Sequence, residues 1–177
     1  MKKVLTIVTV IFLLCGVFAG CNNAETAPGT DSPVTVPQET EPPMQHFSRD
    51  GVNFTLPTNF KDHTDTPLAQ DCSFLYSDGY IGLLGIQSDK AAQPETVTDL
   101  ASYAADQAAA LGGEAVQKDG IWSYTYEDPT QNETQIYICA FYEAENCYWT
   151  IKAYCTADMQ QTYGETMWGY VASPVFE

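Results

Sequence analysis

Basic residues are scarce. The 177-residue chain carries 7 Lys and Arg against 23 Asp and Glu, a formal charge of −16. A surface so acidic repels nucleic-acid phosphates and anionic lipid head groups, so nucleic acid is not an expected partner. Histidine is limited to His46 and His63, and the chain has no G-x-S-x-G, no H-E-x-x-H and no phosphate-cradling glycine loop. The common hydrolase and nucleotide-binding signatures are therefore missing, and no motif implies a cofactor. No two cysteines stand at C-x-x-C spacing, which argues against thioredoxin-like chemistry and a structural zinc site.

What the chain does have begins at its first residues. Lys2 and Lys3 precede an apolar or small run of 17 residues, Val4 to Gly20. A basic start, an apolar middle and small residues before a cut site read as a secretion signal. The run lies at the bottom of the range for a membrane-spanning helix. Ala19-Gly20-Cys21 resembles the lipobox of bacterial lipoproteins, in which the cysteine is lipidated and becomes the new N-terminus. Phe18 departs from the aliphatic residue usual three places before that cysteine. The resemblance implies a lipid on Cys21 and a place on the extracytoplasmic face of the cell membrane. Ordinary cleavage after Ala19, releasing a secreted protein, is the alternative. Loss of the signal removes Lys2 and Lys3, leaving five basic residues against 23 acidic ones, a charge near −18. That balance fits solubility in a crowded envelope or attraction to a cationic partner.

Residues 22–44 hold Pro28, Pro33, Pro37, Pro42 and Pro43, and their charges are all acidic. Such a composition cannot bury enough apolar surface to offset chain entropy, so the segment is expected to be a disordered tether. Coil scaling gives it a reach of about 27 Å. Residues 45–177, about 133 in number, are the right size for one folded domain with its own core.

Within that domain, Asp50-Gly51 between Phe47 and Phe54 predicts a hairpin that ends at Pro57, with Phe54 and Leu56 on one face. Thr58 to Gln70 reads as an irregular loop carrying Asp62, His63 and Asp65. Cys72–Ser77 and Tyr80–Gln87 read as strands joined by Asp78-Gly79. Gln93 to Gly113 predicts a helix, capped by Thr96 to Asp99 and ended by Gly112-Gly113, with Leu100, Tyr103, Ala104, Ala108 and Leu111 inward. Strands follow at Ile121–Tyr126, Thr134–Tyr142 and Cys147–Cys155. With 143–146 as the loop, Ala140 is expected to oppose Trp149, Ile138 Ile151 and Ile136 Ala153, which places that apolar set on one face. A last helix runs from Asp158 to Ala172 with Met159, Tyr163, Met167 and Tyr170 or Val171 inward, and Ser173 to Phe176 forms a short extended end. Antiparallel strands interrupted by helices predict an α+β fold. The expected sheet has about five to seven antiparallel strands and a helix packed on each face.

The opening Phe47, Gly51-Val52-Asn53-Phe54-Thr55-Leu56-Pro57-Thr58-Asn59-Phe60 resembles the start of PsbP-like domains, and the order of elements after it is similar over most of residues 47–177. That family is an α/β/α sandwich around an antiparallel sheet, found in photosystem extrinsic subunits and in many small bacterial lipoproteins. It has no shared active site, so the resemblance implies a binding or accessory role without catalysis.

Four cysteines remain beyond Cys15 and Cys21: Cys72, Cys139, Cys147 and Cys155. Export permits disulfides. Cys139 is expected to face away from Cys147 and Cys155, which lie roughly 27 Å apart along one strand. Any intrachain bridge would therefore need Cys72, and buried free thiols are the favoured reading.

Three sets of residues are candidate sites. Trp122, Tyr124 and Tyr126 share one strand face, and Tyr137, Phe141 and Tyr148 line another. Aromatics with hydroxyls suit binding of a peptide or glycan, while cross-strand packing under a helix is the plainer role. Asp62, His63 and Asp65 offer carboxylates and an imidazole, the makings of an extracytoplasmic hydrolase. The oxygen-rich loops at 127–133 and 143–146 would suit a solute- or metal-capture protein, although they lack the calcium-loop spacing. The favoured reading is a membrane-tethered binding module of the cell envelope that uses its aromatic face.

Overall fold

The computed structural model describes residues 42–129 and 133–177. The signal segment, Cys21, the tether up to residue 41 and residues 130–132 of the oxygen-rich loop lie outside them.

The domain opens one residue earlier than expected, with strand β1 at Met44–Arg49 paired to β2 at Val52–Pro57. Asp50 and Gly51 take φ of 50° and 78°, the two left-handed residues of the tight turn that suits a twisted hairpin. Val52, Phe54 and Leu56 are buried on one face of β2, the period-two consequence of an alternating strand. The chain's extended end, β10 at Val175–Phe176, pairs with the far side of β2 and completes a three-stranded sheet.

The remaining strands form a seven-stranded antiparallel sheet: β3 (Lys61–Asp62), β4 (Phe74–Ser77), β5 (Gly82–Asp89), β9 (Cys147–Thr156), β8 (Gln135–Glu143), β7 (Ile121–Asp128) and β6 (Val116–Lys118), in that spatial order. β3 and β6 are absent from the sequence expectation. Asp119-Gly120, with φ of 53° and 81°, is the same turn signal that marks the first hairpin, and it closes β6 onto β7. The loop between β4 and β5 spans four residues, 78–81, rather than two. The Asp78 carboxylate accepts the backbone N–H groups of Tyr80 and Ile81 at 2.8 and 2.7 Å and holds the wider turn.

The register of β8 and β9 differs from the expectation by two residues. Ala140 opposes Ile151, Ile138 opposes Ala153, Ile136 opposes Cys155 and Tyr142 opposes Trp149. The turn is tighter, at Glu145-Asn146, and the Ala144 N–H donates to the Cys147 carbonyl at 2.9 Å. A slip of two leaves every side chain on its expected face.

Helix α1 is Leu100–Ala110, seven residues shorter at its start than expected. Its capping box is Asp99 with Ser102, not Thr96 with Asp99: the Asp99 carboxylate accepts the Ser102 N–H at 2.8 Å, and Ser102 Oγ accepts the Asp99 N–H at 3.0 Å. These reciprocal bonds satisfy donors that a helix start leaves open. Tyr103, Ala104 and Ala108 are buried, but Leu111 is 40% exposed. Helix α2 is Gln160–Val171, and its buried residues are Met167, Trp168 and Val171. Trp168 was not among the expected inward residues. Its indole N–H donates to Asp119 at 3.1 Å, tying α2 to the β6–β7 turn.

The alternate faces of β8 and β9 feed two separate cores. Ala140, Trp149, Ile151, Ala153 and Cys155 pack with Phe54 and Leu56 of β2 and with Met167 and Val171 of α2. Cys139, Phe141 and Tyr148 pack with Tyr103 and Ala104 of α1. The four described cysteines are free thiols; Cys72 is half-buried and Cys139, Cys147 and Cys155 are buried.

Candidate partner-binding face

The face of β7, β8 and β9 that meets α1 is divided along its length. At one end Tyr103 reaches in from α1 and is fully buried. Its ring stacks on Tyr148 at 4.5 Å and meets Phe141 edge-on at 6.1 Å. Its hydroxyl lies 3.0 Å from Thr150 Oγ1 and 3.1 Å from Ser88 Oγ. Phe141 and Tyr148 are 1% and 3% exposed, so these two residues of the aromatic set do the packing.

Beyond the reach of Tyr103 the same face carries a row of tyrosines. Tyr126, Tyr137 and Tyr154 lie opposite one another on β7, β8 and β9, and Gly82 follows on β5. Tyr124 precedes Tyr126 on the same side of β7. Ring centroids are 6.0 Å apart for Tyr124–Tyr126, 4.9 Å for Tyr126–Tyr137 and 5.2 Å for Tyr137–Tyr154. The first two pairs are nearly parallel, at 12° and 6°. Both ends of the row rest on glycine. A Cβ on Gly113 would stand 2.2 Å from Tyr124, and one on Gly82 would stand 2.1 Å from the Tyr154 ring. A ring laid over a glycine restores the packing that the missing side chain cannot supply.

All four tyrosines are half-buried. Burial pushes the Tyr137 phenol up to about 12, with Tyr154 and Asp128 acting in the same direction. Burial also raises Tyr126 and Tyr154. Tyr126, Tyr137 and Tyr154 therefore present neutral hydroxyls, able to donate and accept, at any physiological pH. Tyr137 donates to Gln135 Oε1 at 2.7 Å. Lys152 sits 5.6 Å over the Tyr126 ring and 3.5 Å from its hydroxyl, a cation held on an aromatic face. Trp122 lies at the margin, half-buried and packed against the core of Tyr103, Phe141 and Tyr148. At the Tyr154 end the row opens into a hollow of about 190 Å³ lined by Ser77, Tyr80, Gly82, Gln135, Tyr154 and Thr156, among others.

Other candidate residues lie on β3, in the loop after it and in the β8–β9 turn. Asp62 lies on β3, and its carboxylate accepts the Thr64 N–H at 2.8 Å. Asp65 pairs with Arg49 at 3.3 Å. The His63 main-chain N–H donates to the Leu75 carbonyl at 2.8 Å. In the loop at 143–146, Glu143 pairs with Lys90 at 2.8 Å, and the same ammonium donates to the Glu145 carbonyl at 3.2 Å. Among the described residues, no three His, Cys, Asp or Glu side chains converge to hold a metal ion.

The sequence reading missed Tyr154, the fourth member of the row. Its alternation with Lys152 and Thr150 was visible, but Tyr137 and Gly82 become its neighbours only through the ladders.

No protein-family model matches this sequence, and no curated protein matches it. Among solved structures, the chain is similar to cyanobacterial PsbP (CyanoP) from Synechocystis sp. PCC 6803. The two share a TM-score of 0.50 and 14% identity, over 85% of this chain and 99% of that one. A protein from Bacteroides thetaiotaomicron VPI-5482 also matches, at a TM-score of 0.48 and 7% identity over 72% of this chain and 45% of that one. The described domain thus has a PsbP-like fold of the α+β class, built on antiparallel sheets with two helices.

Proposed function

We propose that the protein is a lipoprotein, lipidated at Cys21 and tethered to the extracytoplasmic face of the cell membrane. Its domain, an α/β/α sandwich, acts as a non-catalytic binding or accessory module for an envelope protein or glycan. The observation that carries this reading is the row Tyr124, Tyr126, Tyr137 and Tyr154, left half-exposed beyond Tyr103. Tyrosine buries a large area at low entropic cost and brings a hydroxyl, which suits a contact surface. In this reading Phe141 and Tyr148 support the face from beneath α1, and Trp122 forms its margin. The acidic tether holds the domain off the anionic membrane.

In-cell crosslinking with mass spectrometry of the captured species tests the binding role. One reproducible partner is expected, lost in Tyr126→Ala and Tyr137→Ala chains whose urea midpoints confirm that they fold. Capture of nothing beyond abundant neighbours, or capture unchanged in both variants, would overturn it. The tether is tested separately: Cys21→Ser should move the protein from the membrane fraction to the soluble one.

A further inference from the structure

Among the described residues, β7 is covered on its outer side for only part of its length. β6 pairs with Ile121, Trp122 and Ser123 and then stops. The Asp119-Gly120 turn has two residues, so Lys118 and Ile121 form a hydrogen-bonded pair, and alternate residues of β7 direct their N–H and C=O outward. Ile121 and Ser123 meet β6; Thr125 and Glu127 lie past its end. The hairpin of β8 and β9 requires the same phase. The bond from the Ala144 N–H to the Cys147 carbonyl turns even-numbered residues of β8 toward β9 and odd-numbered ones toward β7.

Thr125 and Glu127 are exposed, and among the described residues no backbone group pairs with their outward N–H and C=O. Four main-chain groups therefore line an open edge, with Tyr124 and Tyr126 on one face of it and Glu127 on the other. Such an edge is a template for another strand. β7 carries Glu127 and Asp128 and no Lys or Arg, in a chain of net charge −16. The ring faces of Tyr126 and Tyr137 are turned on each other and the ends of the row rest on glycine, so a sugar ring finds little free aromatic face to stack on.

The geometry points to strand addition: a basic, extended segment of a protein partner pairs with Thr125 and Glu127, extends the seven-stranded sheet and sets alternate side chains beside Tyr124 and Tyr126. A Lys or Arg of that segment meets Glu127. This rests on the reading of the tyrosine face as a binding surface and names the class of its partner.

The test titrates the purified full chain with a labelled peptide of alternating Lys and Val, with an alternating Glu and Val peptide as control. Thr125→Pro removes one outward N–H without touching a ladder bond, and Glu127→Lys reverses the edge charge on an exposed side chain. The Lys/Val peptide should bind and should protect the Thr125 and Glu127 amides from hydrogen exchange. Its affinity should fall roughly threefold to tenfold in each variant, the worth of one net hydrogen bond or charge contact. Absence of binding, affinity unchanged from the parent chain in both variants, or equal affinity for the Glu/Val peptide overturns the proposal. A crosslinked partner lost in Tyr137→Ala but kept in Thr125→Pro and Glu127→Lys would overturn strand addition while leaving the tyrosine face as the binding surface.

Discussion

Tyr154 and Gly82 face each other across the β5–β9 ladder, and the phenol lies on the glycine so closely that a Cβ there would stand 2.1 Å from the ring. The contact lets the last tyrosine of the row lie flat toward the hollow beside β4. Gly82 is fixed by this approach rather than by its backbone angles.

Gly82→Ala should therefore destabilise the domain by about 1–3 kcal/mol, the usual cost of forcing atoms into a packed site. Tyr154→Ala removes the obstacle, so the double variant should lose less than the sum of the two single losses. Urea unfolding of the four chains measures this coupling. Additive losses would mean that the ring swings away at little cost.

The Tyr103 hydroxyl anchors α1 through Thr150 and Ser88. Thr150 is 3% exposed, so Tyr103→Phe leaves a buried hydroxyl short of a partner and should cost about 1–3 kcal/mol. Tyr103→Phe combined with Thr150→Val, which removes both polar groups, should cost less than the single changes together. Urea midpoints of the four chains give the answer. An unaltered midpoint in Tyr103→Phe would show that the Ser88 and Thr150 hydroxyls find other partners.

Alkaline stability should depend on Cys139. Burial pushes its thiol up from 9.0 to about 12, so the folded chain keeps a proton that the unfolded chain releases. The native state thus binds more protons between those values, and stability falls as pH rises through that window. The loss has a slope of at most about 1.4 kcal/mol per pH unit for this group. Below 9.0 the effect is absent. Urea midpoints at pH 8 and pH 10.5 should show a smaller alkaline drop for Cys139→Ala than for the parent chain, since both chains keep the tyrosines that titrate in the same range. Equal drops would place the alkaline sensitivity on the other groups that burial raises, Cys72 and Cys155 among the thiols and the half-buried tyrosines.

Features that depend on near neighbours in sequence were legible in advance. The Asp50-Gly51 hairpin follows from turn chemistry, and the division of Ile138 and Ala140 from Cys139 and Phe141 follows from strand alternation. Where two local signals competed, only the folded chain decided. Asp99 with Ser102 outdid Thr96 with Asp99 because both capping bonds close there, and α1 lost its first seven expected residues. The Asp119-Gly120 turn was present in the sequence as the same signal, yet β6 has only three residues, too few for alternation to show.

By itself, the sequence determined the longer strands but not β3 or β6, which side of β8 and β9 each side chain takes, and that Trp122, Tyr124 and Tyr126 share a face. These are matters of period and of a few contiguous dihedral angles. The tertiary structure decided the two-residue register of β8 on β9, the joining of β10 to β2, and the sorting of the aromatics. Phe141 and Tyr148 went under Tyr103, while Tyr124, Tyr126, Tyr137 and Tyr154 became one row ending on Gly113 and Gly82. A strand's own pattern states which face a residue takes. How far each ladder is shifted, and how far a helix reaches across it, depend on contacts between segments distant in sequence, and those contacts exist only once the chain has folded.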